Sequence, residues 1–183
     1  MKKTLLLAGA ASLVALNAHA LDLTPYFGAD YTHAFTHGSH YEGLAVPSHA
    51  DAGTLSFGLK MMPYLSFEMF AEYSKHENKT DVRTNYHGYG IDAIGSLPFG
   101  CKKQFELLGT VGMSRYYNEV KVKATGDMHE KYDWGYRFGG GIQYNITDRW
   151  SARAMYRHII FNNSRFAYSN FDVLSVGVRY YFK

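Results

Sequence analysis

The chain has little of what usually staples or anchors a small protein. One cysteine, Cys101, in 183 residues excludes an intramolecular disulfide and leaves either a free thiol or a bond between two chains. Prolines number only four, so long stretches are free to pair as strands. Charge of one sign is also missing. With Lys2 and Lys3 set aside, residues 21–183 hold 17 basic and 16 acidic side chains. That balance gives no electrostatic case for nucleic acid or for a basic membrane-surface patch. Beyond residue 20, no apolar run is long enough to cross a bilayer as a helix. A membrane protein of this composition has one remaining route, a closed β-barrel, because only closure satisfies every backbone group in lipid.

What is present fits that route. Lys2 and Lys3 precede an apolar stretch at 4–16, and Ala18-His19-Ala20 forms a small-x-small site. This order predicts a cleavable secretory signal peptide over residues 1–20, removed after Ala20, with the barrel domain at 21–183. Glycine is plentiful (18 residues), and tyrosine (16) and phenylalanine (12) far outnumber tryptophan (2).

Period-two alternation recurs in eight segments of about ten residues, the length a tilted strand needs to span a bilayer. The first sets Phe27, Ala29, Tyr31, His33 and Phe35 against Tyr26, Gly28, Asp30, Thr32 and Ala34. In the next three, Leu55, Phe57 and Leu59 oppose Ser56, Gly58 and Lys60; Phe67, Met69 and Tyr73 oppose Glu68, Phe70 and Glu72; and Tyr89 and Ile91 oppose Gly90 and Asp92. The second half repeats the pattern. Leu107, Val111 and Met113 oppose Glu106 and Thr110, Tyr136 and Phe138 oppose Arg137, and Ala152 and Tyr156 oppose Arg153 and Arg157. Last, Val176, Val178 and Tyr180 oppose Ser175, Gly177 and Arg179. A soluble lipocalin-like barrel alternates too. Charges on one face only, opposite an apolar face with aromatics near its ends, favour the lipid-facing arrangement.

Connections alternate in length. Short turns are expected at 62–64, 98–104 and 145–149, and long polar loops at 36–51, 75–85, 118–133 and 162–172. The expected fold is therefore an all-β, eight-stranded, antiparallel, up-and-down transmembrane barrel. Its expected setting is a bacterial outer membrane, with both termini and the short turns periplasmic and the long loops extracellular.

Three stretches resemble the OmpA-like small outer-membrane barrel family, which includes opacity- and porin-like proteins. They are Pro63-Tyr64-Leu65-Ser66-Phe67-Glu68-Met69, Phe138-Gly139-Gly140-Gly141-Ile142-Gln143-Tyr144-Asn145-Ile146-Thr147 and Leu174-Ser175-Val176-Gly177-Val178-Arg179-Tyr180-Tyr181-Phe182. The resemblance implies that Glu68 and Arg153 occupy an interior ion-pair network, with Asp30 at a position of opposite charge sign in the family. It also implies that Ser175, Gly177, Tyr180 and Phe182 form the signal read by the barrel-assembly machinery, although Lys183 follows the terminal aromatic.

The inward face decides between pore and plug. Five acids (Asp30, Glu68, Glu72, Asp92, Glu106) and five bases (Lys60, Arg137, Arg153, Arg157, Arg179) are expected there. An eight-stranded barrel is just wide enough for side chains to fill it. Charges enclosed in it must be paired, which predicts an ion-paired core, and pair exchange would make it a narrow channel. His33, His37, His40, His49, His76, His87 and His129 raise the question of metal capture, but no cysteine and few spaced carboxylates support them. Some eight-stranded barrels modify lipid A, and the deacylase type uses a His-x-Ser pair. Here Arg157-His158-Ile159-Ile160-Phe161 lacks the serine, so no catalytic residue, metal or cofactor is assigned. The expected role is display of surface loops on a rigid scaffold, structural and adhesive, with a narrow porin as the alternative. Tyr41, His49, Lys79, Arg83, His129, Arg165 and Tyr168 are the candidate loop contacts. Expected partners are outer-membrane lipid and lipopolysaccharide, the assembly machinery and a host or cell-surface ligand.

Overall fold

The structure, a computed structural model, describes residues 23–37, 40–41, 44–45, 49–74, 77–79, 82–100, 104–122, 128–162 and 170–183. Alternating sequence becomes alternating burial. Along the strand Leu65–Ser74, Ser66, Glu68, Phe70, Glu72 and Ser74 are buried, while Phe67, Met69, Ala71 and Tyr73 are exposed. Wherever their side chains are described, eight long strands follow this pattern: β1 Thr24–His37, β2 His49–Met62, β3 Leu65–Ser74, β4 Val82–Phe99, β5 Phe105–Val122, β6 Met128–Asn145, β7 Trp150–Phe161 and β8 Asn170–Tyr181. Each is antiparallel to its neighbours in sequence, and β1 pairs with β8 from Tyr26↔Tyr181 to His37↔Asn170. That last ladder closes the cylinder, so no long strand is left with an open edge. A two-residue hairpin (His40–Tyr41 with Leu44–Ala45) and the segment Glu77–Lys79, which pairs with the start of β4, add to one end.

The two ends differ. At the turn end lie Thr24, Lys183 and the tight connections, where Gly100 takes a positive φ of 86° that suits glycine. Thr147 Oγ1 accepts from the backbone N–H of Trp150 at 3.0 Å and of Arg149 at 3.3 Å, which fixes the last turn. Glycine also makes room inside the wall. A Cβ on Gly28 would run into the Arg179 side chain, and one on Gly58 into the ring of Tyr26.

Strand length departs from expectation. β4, β5 and β6 each run 18 residues, so residues expected in the loops 75–85 and 118–133 are laddered as far as Val82↔Val122 and Lys121↔Met128. β2 likewise begins at His49 and β8 at Asn170, inside the loops expected at 36–51 and 162–172. Once pairing starts, each added residue gains cross-strand hydrogen bonds, and β-branched or aromatic residues such as Val82, Val120 and Tyr132 favour extension. Residues 1–20 and Cys101 lie outside the described residues.

The expectation that charge occupies one face only is corrected by the longer strands. Asp51, Arg115 and Asp172 share the outward face near the loop end, in register with His33, with Tyr89 and Trp134, and with His158.

Candidate functional site

The lumen is built from the even face of β1 to β5 and the odd face of β6 to β8. All ten charged residues expected inside lie on these faces, and they fall into groups by height. Near the turn end, Glu106 Oε1 meets Lys60 Nζ at 3.3 Å and accepts from Asn145 Nδ2 at 3.0 Å. These groups line a vestibule of about 540 Å³ with Thr24, Gln104, Tyr181 and Lys183.

Above it, Arg179 grips both oxygens of Asp30 at 2.8 and 2.9 Å, and its Nε reaches Glu68 Oε2 at 3.3 Å. The same Glu68 oxygen accepts from Arg153 Nη1 at 2.8 Å. Gln143 Oε1 takes two further N–H groups of Arg153 at 2.9 and 3.0 Å, and its amide donates to Tyr181 Oη at 3.1 Å. Planar guanidinium forks aimed at carboxylates inside the barrel are the geometry that offsets burial of charge. Arg179 and Asp92 are completely buried, and Glu68 is 2% exposed.

A third group sits closer to the loops. Asp92 Oδ2 is 3.5 Å from Arg137 Nη2 and 3.4 Å from Arg157 Nε, and Arg157 also donates to Ser175 Oγ at 3.0 Å. Arg137 lies 3.7 Å from the ring centre of Phe70, a cation–π contact inside the barrel. Glu72 accepts from Thr54 Oγ1 at 3.1 Å, and Thr54 is bonded to Thr32.

Sequence reasoning missed the group that closes the lumen. Ala34, Ala52, Tyr86, Tyr116, Ile159, Phe161, Phe171 and Val173 point inward at the loop end and form one apolar cluster. Phe161 and Phe171 meet edge to face at 4.9 Å, and Tyr116 meets Phe161 at 5.6 Å and Phe171 at 6.2 Å. The inward face is therefore polar only over part of its height. The signal was present in the alternation of β7 and β8, which carries Ile159, Phe161, Phe171 and Val173 onto the same face as Arg157 and Ser175.

A second polar system encircles the outside of the wall near the loop end. His33 Nδ1 lies 2.6 Å from Asp51 Oδ1, and His158 Nδ1 lies 2.6 Å from Asp172 Oδ1, which also accepts from Tyr156 Oη at 2.7 Å. His158 thus faces outward, bonded to a carboxylate. The ring of His87 stacks on Tyr117 at 4.9 Å, and Arg115 lies 5.5–5.7 Å from the rings of Tyr117, Tyr132 and Trp134. Below this belt the outward face is apolar and exposed, with Leu55, Leu97, Val111, Phe138 and Val176 between 47% and 64% exposed. Such a surface is stable only against lipid.

The remaining candidates are placed as follows. His49 opens β2, with its ring 6.0 Å from that of His33. Tyr41, Lys79, Arg83 and His129 lie on loop-end strand segments, and Arg165 and Tyr168 fall outside the described residues. In β8, Ser175 is buried in the lumen and Gly177 sits beside Asp30, while Tyr180 and, just past the strand, Phe182 turn outward, their rings 5.1 Å apart.

Comparison with known proteins agrees with this architecture. No curated protein matches at a significant level. Among solved structures, Neisserial surface protein A (NspA) is similar, at a TM-score of 0.71 and 20% identity over 86% of this chain and 97% of that one. The N-terminal β-barrel domain of Pseudomonas aeruginosa OprF has a TM-score of 0.64 and 12% identity over 87% and 97%. Ail, the attachment invasion locus protein of Yersinia pestis, has a TM-score of 0.63 and 12% identity over 87% and 98%. It has also been crystallised with the heparin analogue sucrose octasulfate. At these identities the likeness is one of fold. The family model for the outer membrane protein beta-barrel domain matches residues 4–182, nearly the whole chain. The chain belongs to the outer-membrane β-barrel protein family.

Proposed function

We propose that this protein is a non-enzymatic scaffold that holds binding loops at the cell surface, after export directed by residues 1–20 and cleavage behind Ala20. The turn end and both termini face the periplasm, and the loop end faces outward. Ser175, Gly177, Tyr180 and Phe182 serve as the signal for the barrel-assembly machinery.

One observation carries this reading: beyond the turn-end vestibule, ion pairs and then an aromatic cluster cross the lumen. A solute moving along it would have to part the Arg179–Asp30–Glu68–Arg153 pairs and the Asp92 pairs, and then displace the Phe161–Phe171–Tyr116 cluster. Work done by such a barrel falls to what it displays, and binding residues concentrate on loops held by a rigid frame. The loop-end residues Tyr41, His49, Lys79, Arg83, His129, Arg165 and Tyr168 mix aromatic and cationic groups suited to anionic or glycan-bearing surfaces. Ail, which shares the fold, is named for attachment and was crystallised with a sulfated sugar, which favours an anionic host glycan as the ligand class.

The test is cell binding by intact barrels and by barrels whose loops are shortened to tight turns. Shortened barrels that fold, judged by faster gel migration unheated than boiled, should lose binding. Equal binding by both forms would reject the adhesive role.

A further inference from the structure

The outer wall of β4, β5 and β6 differs from the rest of the lipid-facing surface in two ways. First, it is hollow. A groove of about 220 Å³ runs between Phe67, Ile91, Ala93, Val111, Met113 and Tyr136. Directly toward the turn end, three outward glycines stand side by side, Gly95 against Gly109 and Gly109 against Gly140. A Cβ placed on Gly109 would meet nothing within 4 Å, so this strip of wall is bare backbone facing lipid. Second, the groove is topped by a cation. Arg115 follows Met113 on the same face of β5, about 7 Å further toward the loops.

Arg115 is unusual in its setting. Each inward arginine lies within 3.5 Å of a carboxylate, whereas Arg115 lies among the rings of Tyr117, Tyr132 and Trp134 with no ion pair among the described residues; its Nε, like those of Arg137 and Arg157, finds no hydrogen-bond acceptor there. A guanidinium at the lipid boundary with no carboxylate partner among the described residues calls for an anion from the membrane, and its planar fork suits a phosphate. The rings hold the guanidinium by cation–π contact at 5.5–5.7 Å and its Nε is covered, so the Nη end is the part that would meet a phosphate. From Arg115 to Gly109 is six residues, or roughly 15 Å of depth along a tilted strand, about half of a ~30 Å hydrocarbon core. The groove therefore has the reach of one acyl chain in one leaflet.

We infer that this wall is a binding site for a single phosphorylated acyl lipid of the outer leaflet, with its phosphate on Arg115 and one chain lying in the groove down to Gly109. The choice of leaflet rests on the orientation proposed above. In chemical class the ligand is an acylated phosphosugar such as lipid A, and it would make the barrel a specific neighbour of that lipid.

Native mass spectrometry of the full barrel in detergent tests this. The probes are bisphosphorylated lipid A, the same lipid with its phosphates removed, and phosphatidylglycerol. One lipid A per barrel should be retained. Arg115→Gln, which keeps bulk but no charge, should weaken retention at least tenfold, as should removal of the phosphates. Gly109→Leu, which fills the strip from outside, should weaken it several-fold, while Arg149→Gln at the opposite end should change nothing. Heat-modifiable mobility certifies each variant as folded, and Arg115→Ala and Gly109→Val stand in for any that is not. Unchanged retention in the Arg115 variants, or equal retention of dephosphorylated lipid A, would overturn the site. Arg115-dependent retention of phosphatidylglycerol in preference to lipid A would overturn the outer-leaflet assignment and point to the inverted orientation. The cell-binding assay uses loop variants with this wall intact, so loss of the adhesive role would leave the lipid result standing.

Discussion

Arg179 and Arg115 carry the same guanidinium on the same barrel, two side chains with opposite solutions to one problem. Arg179, inside, makes close contacts to two carboxylates and has no exposed surface. Arg115, outside, lies against three aromatic rings with an acceptor missing. Inside, the protein must supply every counter-charge itself, because an isolated ion there costs many kcal/mol. Outside, the membrane boundary supplies water and headgroups, so the protein can leave a cation unfinished. The difference teaches where to look for function in a closed barrel. Charges that meet a counter-charge inside hold it together, and a charge on the wall with no ion pair among the described residues is where a partner is sought.

Breaking the inner arrangement should cost most. Glu68→Ala leaves Arg153 and Arg179 short of a shared partner, and loss of one member of a buried pair costs about 3–5 kcal/mol. Urea unfolding in detergent should show that loss, and replacing Arg153 and Glu68 together with apolar residues should recover part of it. Phe171→Ala removes the ring that touches Phe161, Tyr116 and Tyr86, at a cost on the order of 3 kcal/mol by the same measurement. If both variants unfold like the wild type, the lumen is not the structural core claimed for it. Outside, the scale shrinks. Asp172→Asn, which weakens the contact with His158, should shift stability by about 1 kcal/mol or less, as partly exposed pairs do. Arg115→Gln should cost stability only on the order of 1 kcal/mol, since its three ring contacts are long and a cation–π contact at such a site is worth about 0.5–1 kcal/mol. Its effect belongs to lipid retention, and a large stability loss would mean that Arg115 is a structural residue after all.

Much of the fold was legible because a barrel wall obeys a period of two. Glu68 between Phe67 and Met69, or Arg153 between Ala152 and Ala154, declares its side of the wall from its immediate neighbours. Partner choice was not legible. Glu68 meets Arg153 across 85 residues and Arg179 across 111, separations set by closure of the β1–β8 seam rather than by local pattern. The aromatic seal was hidden for a different reason. Phe161 and Phe171 inside are the same residue type as Phe67 and Phe138 outside, so composition alone assigns them to lipid, and only strict counting along β7 and β8 turns them inward. Arg115 was missed because the outward alternation was followed only as far as Met113. The ladder continues to Val122 and carries the charge onto the outer wall.

The central claim is that the lumen is closed by paired charges below and an aromatic cluster above. Planar-bilayer recording of the folded wild-type barrel, run beside a Phe161→Ala/Phe171→Ala variant, addresses it most directly. The account predicts a silent wild type, with any openings confined to the variant, where exchange of the ion pairs is the one remaining gate. Regular, resolved conductance steps from the wild type would contradict it and make the barrel a channel.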